Sequence, residues 1–328
     1  MPAGEPAMLR PRSGASAVSA SSSTRGWGAL APVPRFSREM VTRLNPTERI
    51  VRDTGGMPDI LGRIGDLEVR LARTTKDIRR CQRLRFKVFY DEMGARPDAR
   101  GFLSRRDIDP YDRLCDHIMV VDRKGKINRF GQVKPKVIGT YRLLRSDVAE
   151  AAGADFYTAG EYDLSRFLDG NRGLRLLELG RSCVLKPYRD KRTMELLWHG
   201  VWRYILHHRI DVMFGCASFE GIEPEALSLA LAFLEHHAAG NRDARVRALP
   251  GLHVRMDRRP REAVDIKAAM KALPPLIKGY LRLGATFGDG AVIDHQFGTT
   301  DVFVTLRVAD IDPRYIEHYG ADASRYAA

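Results

Sequence analysis

The segment 176–198 places two charged side chains inside an apolar run that is typical of a buried strand. Glu178 and Arg181 interrupt the sequence LLELGRSCVL, and a group of cations and a helical pattern follow it. Residues three apart on a regular strand point to opposite faces of the sheet, because side chains alternate. A β-bulge at Leu179 or Gly180 would bring both charges to one face and leave a backbone N–H unpaired toward a ligand. The segment therefore predicts a bulged strand with a polar site beside it.

Cations cluster between this strand and the helix that follows it. The helix is predicted to begin near Thr193, where the first backbone N–H groups and the helix dipole favour an anion such as a phosphate group. A solvated helix start is the simpler interpretation of the same cluster. A bulged strand with a free N–H and an anion-binding helix start are together the parts of an acyl-transfer site. The basic residues of the cluster are Lys186, Arg189, Lys191 and Arg192.

The order of the predicted elements indicates an α/β (α+β) architecture with a mixed, mostly antiparallel central sheet flanked by helices. The alternation in LEVRLAR predicts a strand from Leu67, and Thr75 caps a helix whose apolar residues share one face. Two strands joined by a charged, turn-rich segment predict an antiparallel hairpin over 117–145. Further strands are predicted at 174–186, 212–219 and near 301–308, and further helices at 193–209 and 224–237.

The chain is predicted to contain one folded domain between two tails. Residues 1–60 are rich in Ala, Ser, Pro, Gly and Arg and show no sustained periodicity, so they cannot bury enough apolar surface to offset the entropy of ordering. This disordered tail also resembles an organelle transit peptide in composition, and a bacterial disordered extension is the alternative. Residues 61–320 are predicted to form the α/β domain with a C-terminal extension, and residues 321–328 a short second tail.

The composition restricts the class of protein and its partners. The longest apolar segment, LSLALAFL at 227–234, is too short to cross a bilayer and no apolar signal segment follows Met1, so a cytoplasmic protein is expected. The four cysteines lack the spacing of a metal site, and no metal is expected. The net charge of +13 indicates an anionic partner, which could be nucleic acid, an anionic membrane surface or an acidic protein. No nucleic-acid-binding motif is recognisable, so nucleic acid is not the expected partner.

The strand followed by PYRDKRTMELL resembles the GNAT acyltransferase superfamily, in which the loop after the fourth strand wraps the pyrophosphate of coenzyme A. Arg189 matches the first position of the Arg/Gln-x-x-Gly-x-Gly/Ala loop, but Arg192 and Met194 stand in place of its glycines. Their Cβ atoms would obstruct a close wrap around two phosphates, whereas the 4′-phosphopantetheine arm of acyl carrier protein presents one. The resemblance implies a GNAT-like fold, whereas the departure from the loop favours acyl carrier protein as the donor. This carrier is acidic, which fits the basic loop and the net charge, and no bound cofactor is expected. The donor-binding candidates are Val184, Lys186, Arg189, Lys191, Arg192 and Thr193.

A closer resemblance covers roughly residues 65–320. The blocks RLRFKVFYDEMG, DPYDRLCDH, GTYRLL and ELGRSCV are similar to blocks of autoinducer synthases. The segment PPLIKGYLRLGATFGDGAVIDHQFGTTDVFV, at 274–304, resembles instead the ornithine Nα-acyltransferases of ornithine-lipid synthesis, with Gly298 where asparagine is expected. This resemblance implies transfer of a 3-hydroxyacyl chain from acyl carrier protein to the α-amine of L-ornithine, giving lyso-ornithine lipid. An autoinducer-synthase-like or CoA-dependent N-acyltransferase acting on another small amine is the alternative.

The implied chemistry needs a base and a donor to the thioester oxygen. An amine that attacks a thioester must lose protons, and the carbonyl oxygen becomes an oxyanion. Glu178 is the candidate base, because burial in an apolar strand raises the proton affinity of a carboxylate. Arg181, Arg142 and Arg85 are assigned to positioning the acceptor carboxylate or the acidic residues around it. A structural ion pair between Glu178 and Arg181 is the alternative.

Acidic residues are expected to bind the δ-ammonium of ornithine, because a cation removed from water must be paired. Asp109, Asp112 and Asp116 are the candidates, and an ordinary solvated loop or a helix cap is the simpler interpretation of these residues. Asp294 is a further substrate-binding candidate. It should not form a dyad with His295, because adjacent residues on a strand face opposite ways. The acylated product would be amphiphilic, so the basic surface is expected to contact anionic lipid at the inner face of the membrane.

Overall fold

The computed structural model of the protein describes residues 55–125, 131, 133–241 and 245–319, with side chains described as far as residue 316. Within these residues a sheet of ten strands runs in the order β1-β2-β3-β4-β6-β7-β10-β9-β8-β5. The strands are β1 Ile60–Ile64, β2 Leu67–Leu71, β3 Asp116–Asp122, β4 Lys136–Arg145, β5 Tyr162–Asp163, β6 Leu176–Val184, β7 Val212–Glu220, β8 Arg247–Ala248, β9 Thr286–Asp294 and β10 Thr299–Arg307.

Helices flank this sheet. Helix α1, Thr75–Phe86, continues directly into a π-helical turn at Lys87–Glu92, and short 3₁₀ turns cover Pro110–Arg113 and Tyr157–Gly160. No helix in the described part of the chain is long and apolar enough to cross a bilayer. The helices are α1 Thr75–Phe86, α2 Ala99–Ser104, α3 Ser146–Ala151, α4 Ser165–Gly170, α5 Lys191–His208, α6 Ser228–His237, α7 Ile266–Ala272, α8 Pro275–Arg282 and α9 Pro313–Tyr319.

The pairing of the strands confirms the predicted mixed, mostly antiparallel sheet. Among the described strands only β6–β7 and β8–β9 pair in parallel, and the predicted hairpin is the antiparallel pair β3–β4. The long connection between β6 and β7 contains α5, which is the crossover that a parallel pair requires. The fold class expected from the sequence is therefore confirmed.

The two longest of the described helices, α1 and α5, lie on opposite faces of the sheet. Gly200 of α5 packs so closely on Val69 and Ile118 that a Cβ atom there would collide with Val69. Met119, the next residue of β3, points the other way and packs with Ile78 of α1. Because side chains alternate along a strand, β3 is buried on both sides. The centre of the sheet is thus buried on both faces, and the site is built on it.

Several element boundaries differ from those predicted. Thr74, not Thr75, caps α1, in a capping box with Asp77. The segment before α6 forms turns, and the helix begins at Ser228 and not at Pro224. Strand β1 begins at Ile60, the last residue of the predicted tail, while residues 1–54 and 320–328 lie outside the described residues. Strands β1, β5, β8 and β9 were not predicted, because they are short or contain glycines that interrupt the alternation.

Candidate active site

Strand β6 is bulged at Arg181 and Ser182, just beyond the position predicted from the sequence. Its register with β4 skips one position here, so that these two residues lie opposite the single residue Tyr141. Arg181 has a φ angle of 51°, in the left-handed region. A non-glycine residue held there costs on the order of 1–3 kcal/mol, so the surroundings of Arg181 must hold it in place. The bulge is therefore a specified feature of the strand.

Strand β6 also separates from β7 next to the bulge. The last residues that pair between the two strands are Glu178 and Phe214, although both strands continue for six more residues. Directly after this pair the backbones touch, because a Cβ atom on Gly215 would collide with the carbonyl oxygen of Leu179. Beyond this contact no pairing joins the described parts of β6 and β7. The two strands therefore part beside the bulge, and we call the unpaired gap between them the slot.

An ion network of arginines and aspartates surrounds the bulge on one face of the sheet. Burial raises the pKa of Asp109, but Arg142 and Arg181 more than offset this effect, so the pKa lies below its ordinary value. The pKa of Asp112 is also lowered, because Arg85 and other cations outweigh its burial. Both carboxylates are therefore ionised and paired. The closest contacts are Arg85–Asp107 at 2.7 Å, Arg85–Asp112 at 2.7 Å, Arg142–Asp109 at 3.0 Å and Arg181–Asp109 at 3.1 Å.

This pairing changes the interpretation of the aspartates predicted to bind the δ-ammonium. Asp109 and Asp112 form a capping box around the turn that follows Asp109, as the helix-cap alternative expected, but they are buried and not solvated. Asp116 lies apart from them and accepts a hydrogen bond of 2.7 Å from the Tyr204 hydroxyl. Arg145 contacts the same carboxylate at 3.4 Å. In this structure the three aspartates thus serve the protein's own cations and hydroxyls.

Glu178 holds the turn that begins at Tyr157. Its two oxygens accept backbone hydrogen bonds from Tyr157 at 3.0 Å and from Thr158 at 2.7 Å, and the residue is only 5% exposed. Burial raises the pKa of Glu178, while the hydrogen bonds from the turn act against this rise. A base must reach the proton that it removes. The enclosure of Glu178 therefore favours a positioning role over the predicted role of base.

Glu178 and Arg181 meet at the same tyrosine but do not pair with each other. No ion pair joins them among the described contacts, contrary to the structural alternative. Instead, Arg181 donates a hydrogen bond of 3.3 Å to the Tyr157 hydroxyl, and its guanidinium lies 5.2 Å from the centre of that ring. Arg142 lies 5.1 Å from the same ring. The bulge thus does bring both charges to the Tyr157 side of the sheet, as predicted.

Three carboxylates close to the bulge form a cluster that sequence reasoning largely missed. One carboxylate oxygen from each of Glu161, Asp294 and Asp301 lies within 4.8 Å of the others. Burial, then Asp301 and Asp294, raises the pKa of Glu161 to about 8. Burial and Asp294 likewise raise the pKa of Asp301 to about 6. Only Asp294 was predicted as a site residue, because nothing local in the sequence connects Glu161 to the β9–β10 hairpin.

The predicted donor-binding residues lie together at the start of α5, where carboxylates of the protein already accept hydrogen bonds from some of them. Asp190 caps the helix, and its carboxylate accepts a hydrogen bond of 2.8 Å from the backbone N–H of Thr193. Arg189 donates to Glu92 at 2.7 Å and to the carbonyl oxygen of Val184 at 2.9 Å. A phosphate at this helix start would therefore have to compete with two carboxylates for these donors.

The remaining cations of the cluster differ in how freely they can meet a partner. Arg192 donates to the carbonyl oxygen of Ile64 at 2.9 Å and so ties α5 to β1. Lys191 is 87% exposed and lies 3.8 Å from Glu195. Lys186 is exposed as well, and its backbone N–H faces Glu92. The two lysines are thus the side chains of this cluster that can reach toward an external anion.

A family model described as an acetyltransferase (GNAT) domain matches residues 84–199, which include the end of α1, the bulged strand β6 and the first half of α5. The fold and this match define the protein as an acyltransferase of the GNAT class. An L-ornithine N(alpha)-acyltransferase from Brucella abortus (strain 2308) is 52% identical over 81% of this chain and 93% of that protein. Another, from Rhizobium meliloti (strain 1021), is 49% identical over 82% of this chain and 90% of that protein. The chain belongs to the L-ornithine N(alpha)-acyltransferase family.

The solved structures include a more distant likeness. An N-acyl amino acid synthase from uncultured soil microbes aligns with a TM-score of 0.41 and 12% sequence identity, over 74% of this chain and 91% of that chain.

Proposed function

We propose that this protein transfers a 3-hydroxyacyl chain from acyl carrier protein to the α-amine of L-ornithine, which forms lyso-ornithine lipid in the first step of ornithine-lipid biosynthesis. The observation that carries the proposal is the slot between β6 and β7, which opens beside the Arg181 bulge. The names of the relatives from Brucella abortus and Rhizobium meliloti support ornithine as the acceptor. The reaction is a direct attack of an amine on a thioester, so no covalent enzyme intermediate is needed.

In this proposal the bulge stabilises the oxyanion. The thioester lies in the slot, and backbone N–H groups at Arg181 and Ser182 donate to the carbonyl oxygen as it becomes negative. One such donor is typically worth about 10²- to 10³-fold in rate. The amine forms the new C–N bond and releases a proton, and the thiolate of the pantetheine arm leaves and takes up a proton. Glu178 acts indirectly, because it holds the turn that carries Tyr157 against Arg181.

Arg181 is the residue that we assign to the α-carboxylate of the acceptor. Its side chain is 14% exposed, and its guanidinium lies 4.5 Å from the centre of the Phe297 ring. Its Nε atom is buried and makes no hydrogen bond to any described residue, with Asp107 at 3.8 Å. A guanidinium presents paired donors that suit a carboxylate. Arg142 and Arg85 act one step away, because they hold the aspartates that orient Arg181.

The start of α5 favours a carrier protein over coenzyme A as donor. The carboxylate of Asp190 already accepts the hydrogen bond of the Thr193 backbone N–H there. Arg192 and Met194 stand where glycines would let the backbone close around a pyrophosphate. The exposed Lys186 and Lys191 suit the single phosphodiester and the acidic surface of acyl carrier protein. No bound cofactor is required by this chemistry.

The donor is tested by a direct comparison of substrates. Purified protein is incubated with 3-hydroxyacyl carrier protein or with the matching 3-hydroxyacyl-CoA, together with a panel of basic amino acids, and products are identified by mass spectrometry. We expect Nα-acylated ornithine from the carrier protein donor. Equal or faster turnover with the CoA thioester would support the CoA-dependent alternative, and a preference for another amine would exclude ornithine as the principal acceptor.

The exposed lysines provide a second test of donor binding. Changing Lys186 and Lys191 together to alanine should raise the KM for the carrier protein several-fold and leave the KM for ornithine unchanged. The control is Arg314→Ala, since Arg314 is 86% exposed and pairs with nearby Asp312. If the double variant behaves like the control, the carrier protein does not dock on this cluster.

Contact with an anionic membrane at its inner face is part of the same proposal, because the product is an amphiphile and the net charge is +13. Sedimentation with vesicles that contain anionic lipid should bring the protein down at low salt and release it at high salt. Equal binding to neutral vesicles would contradict an electrostatic contact.

A further inference from the structure

We propose that Glu161, Asp294 and Asp301 bind the side-chain ammonium of the amino-acid acceptor, and that this cluster selects a diamino acid over neutral amino acids of the same length. The inference rests on the proposed function and deepens it. It replaces the assignment of the ammonium to Asp109, Asp112 and Asp116, whose carboxylates the protein's own residues occupy.

The spacing of the three carboxylates suits an ammonium. Their oxygens lie within 4.8 Å of one another, so a point exists within 4.8/√3 Å, or about 2.8 Å, of all three. Charge-assisted N–H···O bonds have lengths of about 2.7–2.9 Å. An ammonium carries three N–H donors, one for each carboxylate. The cluster therefore matches the number and the length of the bonds that such a group would make.

The cluster lacks a cation of its own among the described residues. Neither Glu161, Asp294 nor Asp301 forms an ion pair there, in contrast to the aspartates around Arg85 and Arg142. Asp301 is only 8% exposed. The side chains of Ser218 and Thr299 hydrogen-bond to its carboxylate, but its Oδ1 atom is buried without a hydrogen-bond partner among the described residues. Carboxylates that share a buried site must take up protons or receive a cation. An acceptor that brings an ammonium satisfies this requirement.

The position of the cluster connects it to the reaction. Cys216 follows Gly215, where β6 and β7 part, and its Sγ atom lies 3.4 Å from Glu161. The positive charge of Arg181 also acts on both Glu161 and Asp301. A guanidinium and a triad of carboxylates thus lie close enough to interact, next to the point where β6 and β7 part. This arrangement complements an acceptor with a carboxylate at one end and an ammonium at the other.

The experiment compares two acceptors that differ in one group. Ornithine and norvaline, which lacks only the δ-amine, are assayed with the wild-type protein and with Glu161→Gln, Asp294→Asn and Asp301→Asn. We expect the wild type to prefer ornithine in kcat/KM, and each variant to lower the ratio of ornithine to norvaline by about 10- to 100-fold, since a hydrogen bond to a charged group is lost. Equilibrium dialysis of the two amino acids gives the same comparison without turnover.

The control is Glu220→Gln, an exposed carboxylate at the end of β7 opposite Thr299, which should keep the wild-type ratio. Equal loss of activity on both acceptors in a variant would show that the cluster acts as a base or as a structural element. This outcome would overturn the proposal. The same conclusion would follow from Mg²⁺ or Ca²⁺ binding that depends on the cluster while the ratio stays unchanged. Failure of the wild type to acylate ornithine at all would instead refute the proposed function.

The three variants should fold, so a lower ratio of ornithine to norvaline would not result from unfolding. An isosteric amide removes one of several buried like charges, so the variants should melt no earlier than the wild type at pH 8. A melting curve accompanies each kinetic measurement. Asp294→Asn is the most conservative of the three, because the Asp294 side chain also accepts backbone hydrogen bonds from Gln296 and Phe297 that an amide oxygen can keep.

Discussion

The guanidinium of Arg142 lies 3.0 Å from the carboxylate of Asp109, and both side chains are less than one-tenth exposed. Arg181 approaches the other oxygen of the same aspartate at 3.1 Å. Asp109 therefore connects β4 to the bulge of β6 through two cations. The side-chain contacts of Arg181 hold its left-handed backbone in place. The geometry of the slot therefore depends on the buried charge of Asp109.

Asp109→Asn should destabilise the protein by about 3–5 kcal/mol, because it removes the nearest counter-charge of two buried guanidinium groups. Arg142 then keeps only Asp112 at 3.5 Å, and Arg181 only Asp107 at 3.8 Å, among the described residues. The measurement is the free energy of unfolding from urea titration. Asp169→Asn is the control, since Asp169 and Arg172 form an exposed pair that should contribute less than about 1 kcal/mol. A similar small effect for both variants would show that Asp109 does not hold the bulge.

Gly215→Ala should lower activity strongly, because its Cβ atom would collide with the carbonyl oxygen of Leu179 at the point where β6 and β7 part. We expect a loss of at least tenfold in kcat/KM together with a lower melting temperature. The comparison is Gly279→Ala in α8, where a Cβ atom meets nothing within 4 Å and alanine favours the helix by roughly 0.5–1 kcal/mol. Full activity in Gly215→Ala would contradict a tightly defined slot.

Glu178→Gln should reduce both activity and stability without removing a limb of the pH profile. An amide can accept only one of the two backbone hydrogen bonds that the carboxylate accepts, and a buried N–H left unpaired costs about 1–3 kcal/mol. The measurement is kcat/KM between pH 6 and 9, with a urea titration beside it. Should the variant keep its stability while the acid limb disappears, Glu178 would be the general base after all.

The Glu161 cluster should make the ligand-free protein less stable as pH rises. Glu161 faces Asp301, Asp294, Cys216 and Arg181, and burial with the neighbouring acids raises its pKa from 4.5 to about 8. The folded state therefore binds the proton of the Glu161 carboxyl group more tightly than the unfolded state does. The contribution of protonated Glu161 to the free energy of unfolding is therefore fully present below pH 4.5 and is lost as pH rises through about 8.

The melting temperatures of the wild type and of Glu161→Gln at pH 5.5 and 8.5 test this dependence. The drop between the two pH values should be smaller in the variant, and saturating ornithine should restore the wild type at pH 8.5. Identical drops in the two proteins would mean that Glu161 titrates at its ordinary pKa.

Much of the fold follows from local patterns in the chain. Alternation and capping residues located β2, β3, β4, β6, β7 and α1 to within a few residues, because these signals depend on neighbours along the chain. The charges inside β6 predicted a bulge for the same reason. Its position at Arg181 could not be predicted, since it depends on the register with β4 and on the side-chain contacts that hold a left-handed residue.

Residue types alone identified the charged groups of the site but not how they pair. The sequence marked Asp109 and Asp112 as candidates for binding an ammonium. Only the packing of α1, β4 and the turn after Asp109 decided that arginines neutralise them. The same packing brings Glu161 next to Asp294 and Asp301 from a distant part of the chain. Local sequence determines which groups can ionise, whereas the tertiary structure determines which of them keep a charge that a substrate can meet.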